Sequence, residues 1–459
     1  MFTIDELLKA TSGRLTGGTG RLKVQGVCID SRAVKKDQLF IAIKGDIFDG
    51  HDFINDVAAR GVRVVIVHKP VRIDDAKVHV IQVGDTTRAL GDLARFHRLR
   101  FKVPVIAITG SAGKTTTKEM IDAVLERKYK VLKNEGTQNN HIGVPLTLLK
   151  LKPSHEIVVL ECGSNQPGDI PWLAQVARPD VAVFTNVGES HLEKLKTPQG
   201  VLKEKWMLTS LLPKAGKIIL NSDDPFLAKQ ARLCKKGQCL TYGVTTLARW
   251  KAKKITFKGP RGLQFAIHAK IIELNSCGMN NIYNALAALA CGELFKVPFV
   301  KTAQALKNFE FPQGRGQIMR LGRGWLINDA YNSNPLSMRG ALQTLDSLKA
   351  EGKKIVVAAD MLELGIREKI LHRAIGQAAA ASSADVLITV GDLARHMAQE
   401  ARRRNKRLQV FDCPDVDCAQ KRLAGVLNNG DAVLVKGSRR MKMEQVVEFL
   451  LASPGGYLT

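Results

Sequence analysis

The chain has 459 residues, is 45% hydrophobic and carries a formal charge of +26 at pH 7. That apolar fraction lets several domains bury their own cores, and at roughly 150 residues per domain the length sets a prior of about three. No apolar run is long enough to span a bilayer, and the acidic start Met1-Phe2-Thr3-Ile4-Asp5-Glu6 lacks the features of an export signal, so a cytoplasmic protein without stable membrane insertion is expected.

Residues 1–100 read as short strands and helices around a buried strand at 62–67. A proline-bearing connection, Phe101-Lys102-Val103-Pro104, opens a second α/β pattern that runs to about Pro312. Its apolar strands lie at 105–109, 157–160, 181–185 and 217–220, with helical stretches between most of them, which implies a parallel sheet with crossovers. The punctuated stretch Phe311-Pro312-Gln313-Gly314-Arg315-Gly316 marks a boundary. A third β/α series follows, with strands at 325–328, 355–359, 386–390 and 432–435. The expectation is three α/β domains at 1–100, 101–312 and 313–459.

The strand at 105–109 runs into Gly110-Ser111-Ala112-Gly113-Lys114-Thr115-Thr116 and then into a helix with Met120, Ile121, Val124 and Leu125 at helical spacing. Glycines let backbone N–H groups turn inward, and a helix N-terminus adds partial positive charge, so the loop suits a phosphate. Lys114 can reach the β- and γ-phosphates, and Thr115 can hold Mg2+. The GxxGKT spacing is shorter than the common GxxxxGK[ST] loop; the flanking strand and helix supply the confirming context.

Two further strands end in candidate metal ligands. Residues 157–160 lead into Glu161, and 181–185 lead into Asn186, Glu189 and His191. Ligands of open parallel sheets bind beyond the carboxyl ends of the strands, so Gly110, Glu161 and His191 would face one crevice. Mg2+ prefers oxygen ligands, which suits Glu161 with Thr115 and phosphate, while His191 points to a second, specialised cation site. A helical stretch next carries Lys203 and Lys205, and nothing in the residues themselves separates the two.

At these residues the chain resembles the Mur ligase family. The nucleotide loop carries the likeness, as do Asn139-Asn140-His141-Ile142-Gly143-Val144-Pro145, Thr185-Asn186-Val187 with His191-Leu192-Glu193, and Asn281-Ile282-Tyr283-Asn284. Near the C-terminus it continues in Asn328-Asp329-Ala330-Tyr331-Asn332-Ser333-Asn334-Pro335, Asp360-Met361-Leu362-Glu363-Leu364-Gly365 and Val435-Lys436-Gly437-Ser438-Arg439. The segment from Asp30-Ser31-Arg32 to Asp49-Gly50-His51 also fits, so the likeness spans nearly the whole chain.

The resemblance implies a three-domain fold with a central P-loop ATPase domain and a Rossmann-like C-terminal domain. It implies an ATP- and Mg2+-dependent ligase whose first domain holds a UDP-sugar, the second ATP and the third the incoming amine. The third-domain motifs favour the branch that joins D-alanyl-D-alanine to UDP-N-acetylmuramoyl-tripeptide through an acyl phosphate. On this likeness Ser31 and Arg32 lie at the UDP site, with Asn139 and Asn140 toward the sugar–peptide. Gly110, Ser111, Ala112, Gly113, Lys114, Thr115, Thr116, Asn284, Arg315 and Asp329 lie at the nucleotide. Thr115, Glu161, His191 and Lys205 serve the two magnesium sites, with Lys205 matching a lysine carried as a carbamate. Lys114, His191 and Lys205 would be the catalytic set. Lys436 and Arg439 follow a strand end, where they bind the dipeptide carboxylate or ATP phosphate, or form a solvated basic turn.

A monomer is expected. A nucleic-acid-binding P-loop ATPase is the rival that the charge raises, but only 5% of the chain is aromatic and no basic–aromatic interleaving occurs, so no nucleic-acid partner is expected. The eight cysteines are scattered and read as reduced thiols. The pairs Cys234/Cys239 and Cys413/Cys418 lack CxxC spacing and a neighbouring histidine, which argues against zinc.

Overall fold

The computed structural model describes residues 1–18 and 22–452. In the first unit the strands lie in the order Arg14–Gly17, His79–Gln82, Val64–Val67, Leu39–Ile41 and Val27–Cys28. Arg14–Gly17 runs antiparallel to its neighbour and the remaining pairs are parallel. Val64–Val67 is buried along its length, which is why it reads as an unbroken apolar run.

The central sheet has seven strands, all parallel, in the order Trp250–Lys251, Cys239–Gly243, Lys217–Asn221, Val181–Phe184, Val105–Thr109, Ile157–Glu161 and Val131–Lys133. Val105–Thr109 is flanked on both sides and wholly buried. Register places Glu161 opposite Ile108 and Phe184 opposite Thr109. The three carboxyl ends are therefore level, and the loops leaving them emerge along one edge. An antiparallel sheet, Lys253–Phe257 with Leu263–Ile267 and Lys270–Leu274, adds to the expected pattern. Its first strand is lysine-rich and mostly exposed, so it carries no apolar signature.

The last unit has six strands in the order Gln317–Leu321, Gly324–Asp329, Ala432–Lys436, Lys354–Ala359, Val386–Val390 and Gln409–Cys413. Only the first pair is antiparallel. Asp329 and Lys436 end neighbouring strands directly opposite each other. Helix Pro335–Ser347, capped by Asn334, turns Met338, Ala341 and Leu345 into one apolar cluster with Val187, Leu192 and Cys277 of the central unit. The two units thus share a hydrophobic contact.

The expectation of reduced thiols needs a correction. Cys234 and Cys239 are joined in a disulfide with Cα atoms 6.0 Å apart. The end of helix Pro225–Leu233 and the start of strand Cys239–Gly243 fold back on each other there, a proximity no spacing rule foretells. The other six cysteines are free. Among the described residues no helix is long and apolar enough to cross a membrane.

Candidate active site

The nucleotide loop leaves Val105–Thr109 at Gly110 and enters helix Lys114–Leu125, with Gly113 as its left-handed N-cap at φ 79°. No side chain caps this helix, so its first N–H groups stay available to an anion. The segment after Val181–Phe184 holds the loop from outside. Asn186 Oδ1 accepts the Ala112 N–H at 2.8 Å, Thr185 Oγ1 donates to the Ala112 carbonyl at 2.6 Å, and Ser190 Oγ donates to Ser111 Oγ at 2.9 Å. Asn334, from the last unit, donates to the Ser111 carbonyl at 3.1 Å.

Gly110 has no room for a side chain: a Cβ there would lie 1.9 Å from Thr185 Oγ1. Gly110→Ala is therefore expected to displace Thr185, loosen the loop and weaken ATP binding by about tenfold or more, the equivalent of about 1.4 kcal/mol. Titration with a fluorescent ATP analogue checks this; wild-type affinity in the variant would contradict the packing argument.

Glu161 is buried, and its Oε1 accepts from Asn139 Nδ2 at 2.6 Å. Its Oε2 and Thr115 Oγ1 are buried without a hydrogen-bond partner. Two orphaned oxygens at the mouth of a phosphate loop are a costly arrangement for a protein alone. They suit a hard cation that takes one or two protein oxygens, phosphate and water.

His191 sits in the left-handed region at φ 54°, and its Nδ1 lies 2.5 Å from Glu363 Oε2 of the last unit. Burial and the charges of Lys205 and Lys114 push the imidazole pKa down, against the pull of Glu363. Only the neutral ring can be a metal ligand. The same contact holds the Glu363 carboxyl below its usual range.

Packing separates the two lysines that sequence could not. Lys203 is exposed, whereas Lys205 is fully buried with its Nζ 3.1 Å from Ser164 Oγ. Burial, then the charge of Lys114, brings the Lys205 pKa to about 7, although Glu204 and Asp169 pull upward. Burial also lowers the pKa of Lys114, whose Nζ rests on the carbonyl of Gly110 at 2.8 Å.

One cleft of about 700 Å3 between the central and last units gathers most of these groups; Lys205 does not line it and lies behind Ser164, which does. Residues 111–116, Glu161, His191 and Asn284 line it from one side, and Arg315, Asp329, Lys436 and Arg439 from the other. Lys436 is buried and bonds to Asp329 Oδ2 at 2.5 Å and to the Asn332 carbonyl at 2.9 Å, which removes the solvated-turn alternative for it. Arg439 stays half exposed and pairs with Glu444 at 3.2 Å.

Other predicted residues lie elsewhere. Ser31 and Arg32 belong to the first unit and do not line the cleft; Arg32 is 87% exposed and paired with Asp30 at 2.9 Å. Asn140 also stays out of the cleft, its Oδ1 taken up by the N–H groups of Ile142 and Gly143. Sequence reasoning gave no role to Tyr331, whose hydroxyl donates to Thr137 Oγ1 at 2.8 Å while Arg315 stacks on its ring at 3.9 Å. Partners so distant along the chain leave no spacing signal.

Family models match along the chain: "Mur ligase family, catalytic domain" at 23–98, "Mur ligase middle domain" at 108–292 and "Mur ligase, glutamate ligase domain" at 314–439. The UDP-N-acetylmuramoyl-tripeptide–D-alanyl-D-alanine ligase of Bacillus subtilis is 36% identical over 94% of both chains. A crystal structure of MurF from Acinetobacter baumannii superposes with a TM-score of 0.89 at 29% identity, covering 98% of this chain and 99% of that one. MurF ligase from Thermotoga maritima, solved in complex with ADP, gives 0.83 at 27% identity over 94% and 98%. With the nucleotide loop, the orphaned oxygens and the two-sided cleft already in place, this full-length likeness shows that the chain belongs to the Mur ligase family.

Proposed function

We propose that this chain joins D-alanyl-D-alanine to UDP-N-acetylmuramoyl-tripeptide with conversion of ATP to ADP and phosphate, giving the UDP-N-acetylmuramoyl-pentapeptide of peptidoglycan synthesis. The observation that carries this reading is the cleft, where a phosphate loop on one wall faces a cationic wall supplied by another unit. We place the three units at 1–100, 101–312 and 313–459, for UDP-sugar, ATP and amine respectively.

In the first step the terminal carboxylate of the tripeptide attacks the γ-phosphorus of ATP, an acyl phosphate forms and ADP departs. Lys114 leaves the Gly110 carbonyl and follows the charge on the transferring group, with the first N–H groups of its helix beside it. In the second step the amine of the dipeptide attacks the acyl carbon, and phosphate leaves as the amide bond forms. Lys436 and Arg439, on the opposite wall, supply positive charge for the dipeptide carboxylate or for phosphate. Closure of the last unit brings amine and acyl group together and limits loss of the acyl phosphate to water.

Thr115, Glu161, His191 and Lys205, the last as its carbamate, are the residues that would hold Mg2+. When bound, Mg2+ neutralises charge on the phosphates. A Lys205 pKa near 7 leaves much of the amine neutral and so able to react with CO2.

Purified protein with ATP and UDP-N-acetylmuramoyl-tripeptide is expected to give a product heavier by one D-alanyl-D-alanine residue pair, only when that dipeptide is present. Mass spectrometry alongside phosphate release checks this. Turnover with a single amino acid in place of the dipeptide would move the chain to a sister ligase.

A further inference from the structure

The segment Asp360-Met361-Leu362-Glu363-Leu364-Gly365 has no part in the chemistry derived so far, yet the fold fixes it residue by residue. It follows strand Lys354–Ala359. Asp360 Oδ1 accepts the Ala394 N–H at 2.6 Å, and the Asp360 carbonyl accepts the Ser438 N–H at 3.1 Å. Met361 N–H donates to Nε2 of the buried His372 at 3.0 Å, while His372 Nδ1 lies 2.7 Å from the Glu368 carbonyl. His372 must then carry its proton on Nδ1 and accept through Nε2. Leu362 N–H donates to Ser438 Oγ at 2.9 Å.

So anchored in the last unit, the chain turns left-handed at Glu363, φ 64°, and crosses to the central unit. Its carbonyl accepts the Glu193 N–H at 3.1 Å, and its carboxylate meets His191 Nδ1 at 2.5 Å. Gly365 permits the approach: a Cβ there would lie 3.0 Å from Glu193 Cα. Two left-handed non-glycine residues, His191 and Glu363, thus face each other across the interface, a conformation kept only where the surroundings over-determine it.

We propose that Glu363 is a positioning residue that holds the His191 imidazole from across the domain interface, with Nδ1 protonated and Nε2 left for the cation, so that this ligand is set only when the two units are closed. The inference rests on the reading of His191 as a cation ligand. A neutral imidazole has one donor and one acceptor, and a carboxylate can only accept, so the contact selects the Nδ1–H tautomer. An imidazole is a weak ligand for a hard cation. A carboxylate behind it raises ligand basicity and fixes ring orientation, and losing such a partner lowers metal affinity by about 10- to 100-fold.

The test uses full-length protein labelled with 15N-histidine, and the variants Glu363→Ala, Glu363→Gln and His191→Ala. In metal-free samples, long-range 1H–15N spectra report the tautomer of His191, identified by the signal that His191→Ala removes. Wild type and Glu363→Gln are expected to show the Nδ1–H form, and Glu363→Ala a shift toward the other tautomer. The Mg2+ concentration for half-maximal phosphate release is expected to rise about 10- to 100-fold in Glu363→Ala and much less in Glu363→Gln. If either readout stays at the wild-type value in Glu363→Ala, the inference is overturned; a fall in kcat alone would mean that Glu363 merely joins the units. If His191→Ala shifts the Mg2+ dependence and Glu363→Ala does not, only the inference fails. If His191→Ala leaves that dependence unchanged, the cation reading of His191 fails and takes the inference with it.

Discussion

Lys114→Ala is expected to lower phosphate release by at least about 10²- to 10³-fold, the range seen when one preorganised donor is removed from a developing charge. The loop offers backbone N–H groups to the phosphates, but Lys114 is its only charged side chain. In the present structure its ammonium rests on the carbonyl of Gly110, within its own loop, so truncation breaks no contact between distant parts of the chain. Thermal unfolding should therefore match wild type while acyl-phosphate formation disappears. Lys114→Arg keeps the charge but spreads it over a planar fork on a loop built for a point charge, and should recover only part of the rate. An active Lys114→Ala enzyme would sink the nucleotide-loop assignment.

Lys205→Met is expected to be comparably damaging, with a drop of about 10²-fold or more, for a different reason. As the proposed carbamate, Lys205 would exchange a cation for an oxygen anion beside the residues proposed to hold Mg2+, and methionine offers no such oxygen. Intact-protein mass spectrometry under CO2, and its loss after CO2 removal, should report the modification in wild type alone. A second signature comes from the unmodified amine. Its folded pKa is about 7, below the ordinary 10.5, so between those values the unfolded chain binds a proton that the folded chain does not. Stability then rises with pH across that window, and the burden is greatest below pH 7. In CO2-free buffer Lys205→Met should lose this slope and gain stability at low pH. Full activity in Lys205→Met would remove the residue from the mechanism.

The parallel strands were legible because burial on both faces leaves a plain apolar signature. Val105–Thr109 and Val386–Val390 lie where periodicity and length put them, and Lys217–Asn221 differs by one residue. The nucleotide loop was legible because strand, glycines, lysine and helix are contiguous. What escaped was set by packing. The residues themselves do not separate Lys203 from Lys205 on their shared helix; the family likeness picked Lys205, and the fold turns that one inward. Lys436 gains its place from strand register with Asp329, a partner more than 100 residues away. The Tyr331–Thr137 bond likewise joins residues remote in sequence, whereas the lysine-rich strand Lys253–Phe257 pairs with the next strand along the chain and escaped because its exposed residues carry no apolar pattern.

The apolar cluster shared by the central and last units sets a thermal condition on opening. Separating the units would hydrate apolar side chains that this cluster joins across them, near helix Pro335–Ser347 on one side and Val187 and Leu192 on the other. Hydration of apolar groups raises heat capacity, so opening carries a positive heat-capacity change. Apolar association also weakens on cooling. Chilling the enzyme therefore shifts the balance toward the open form, and warming toward its maximum strength holds the last unit against the nucleotide loop.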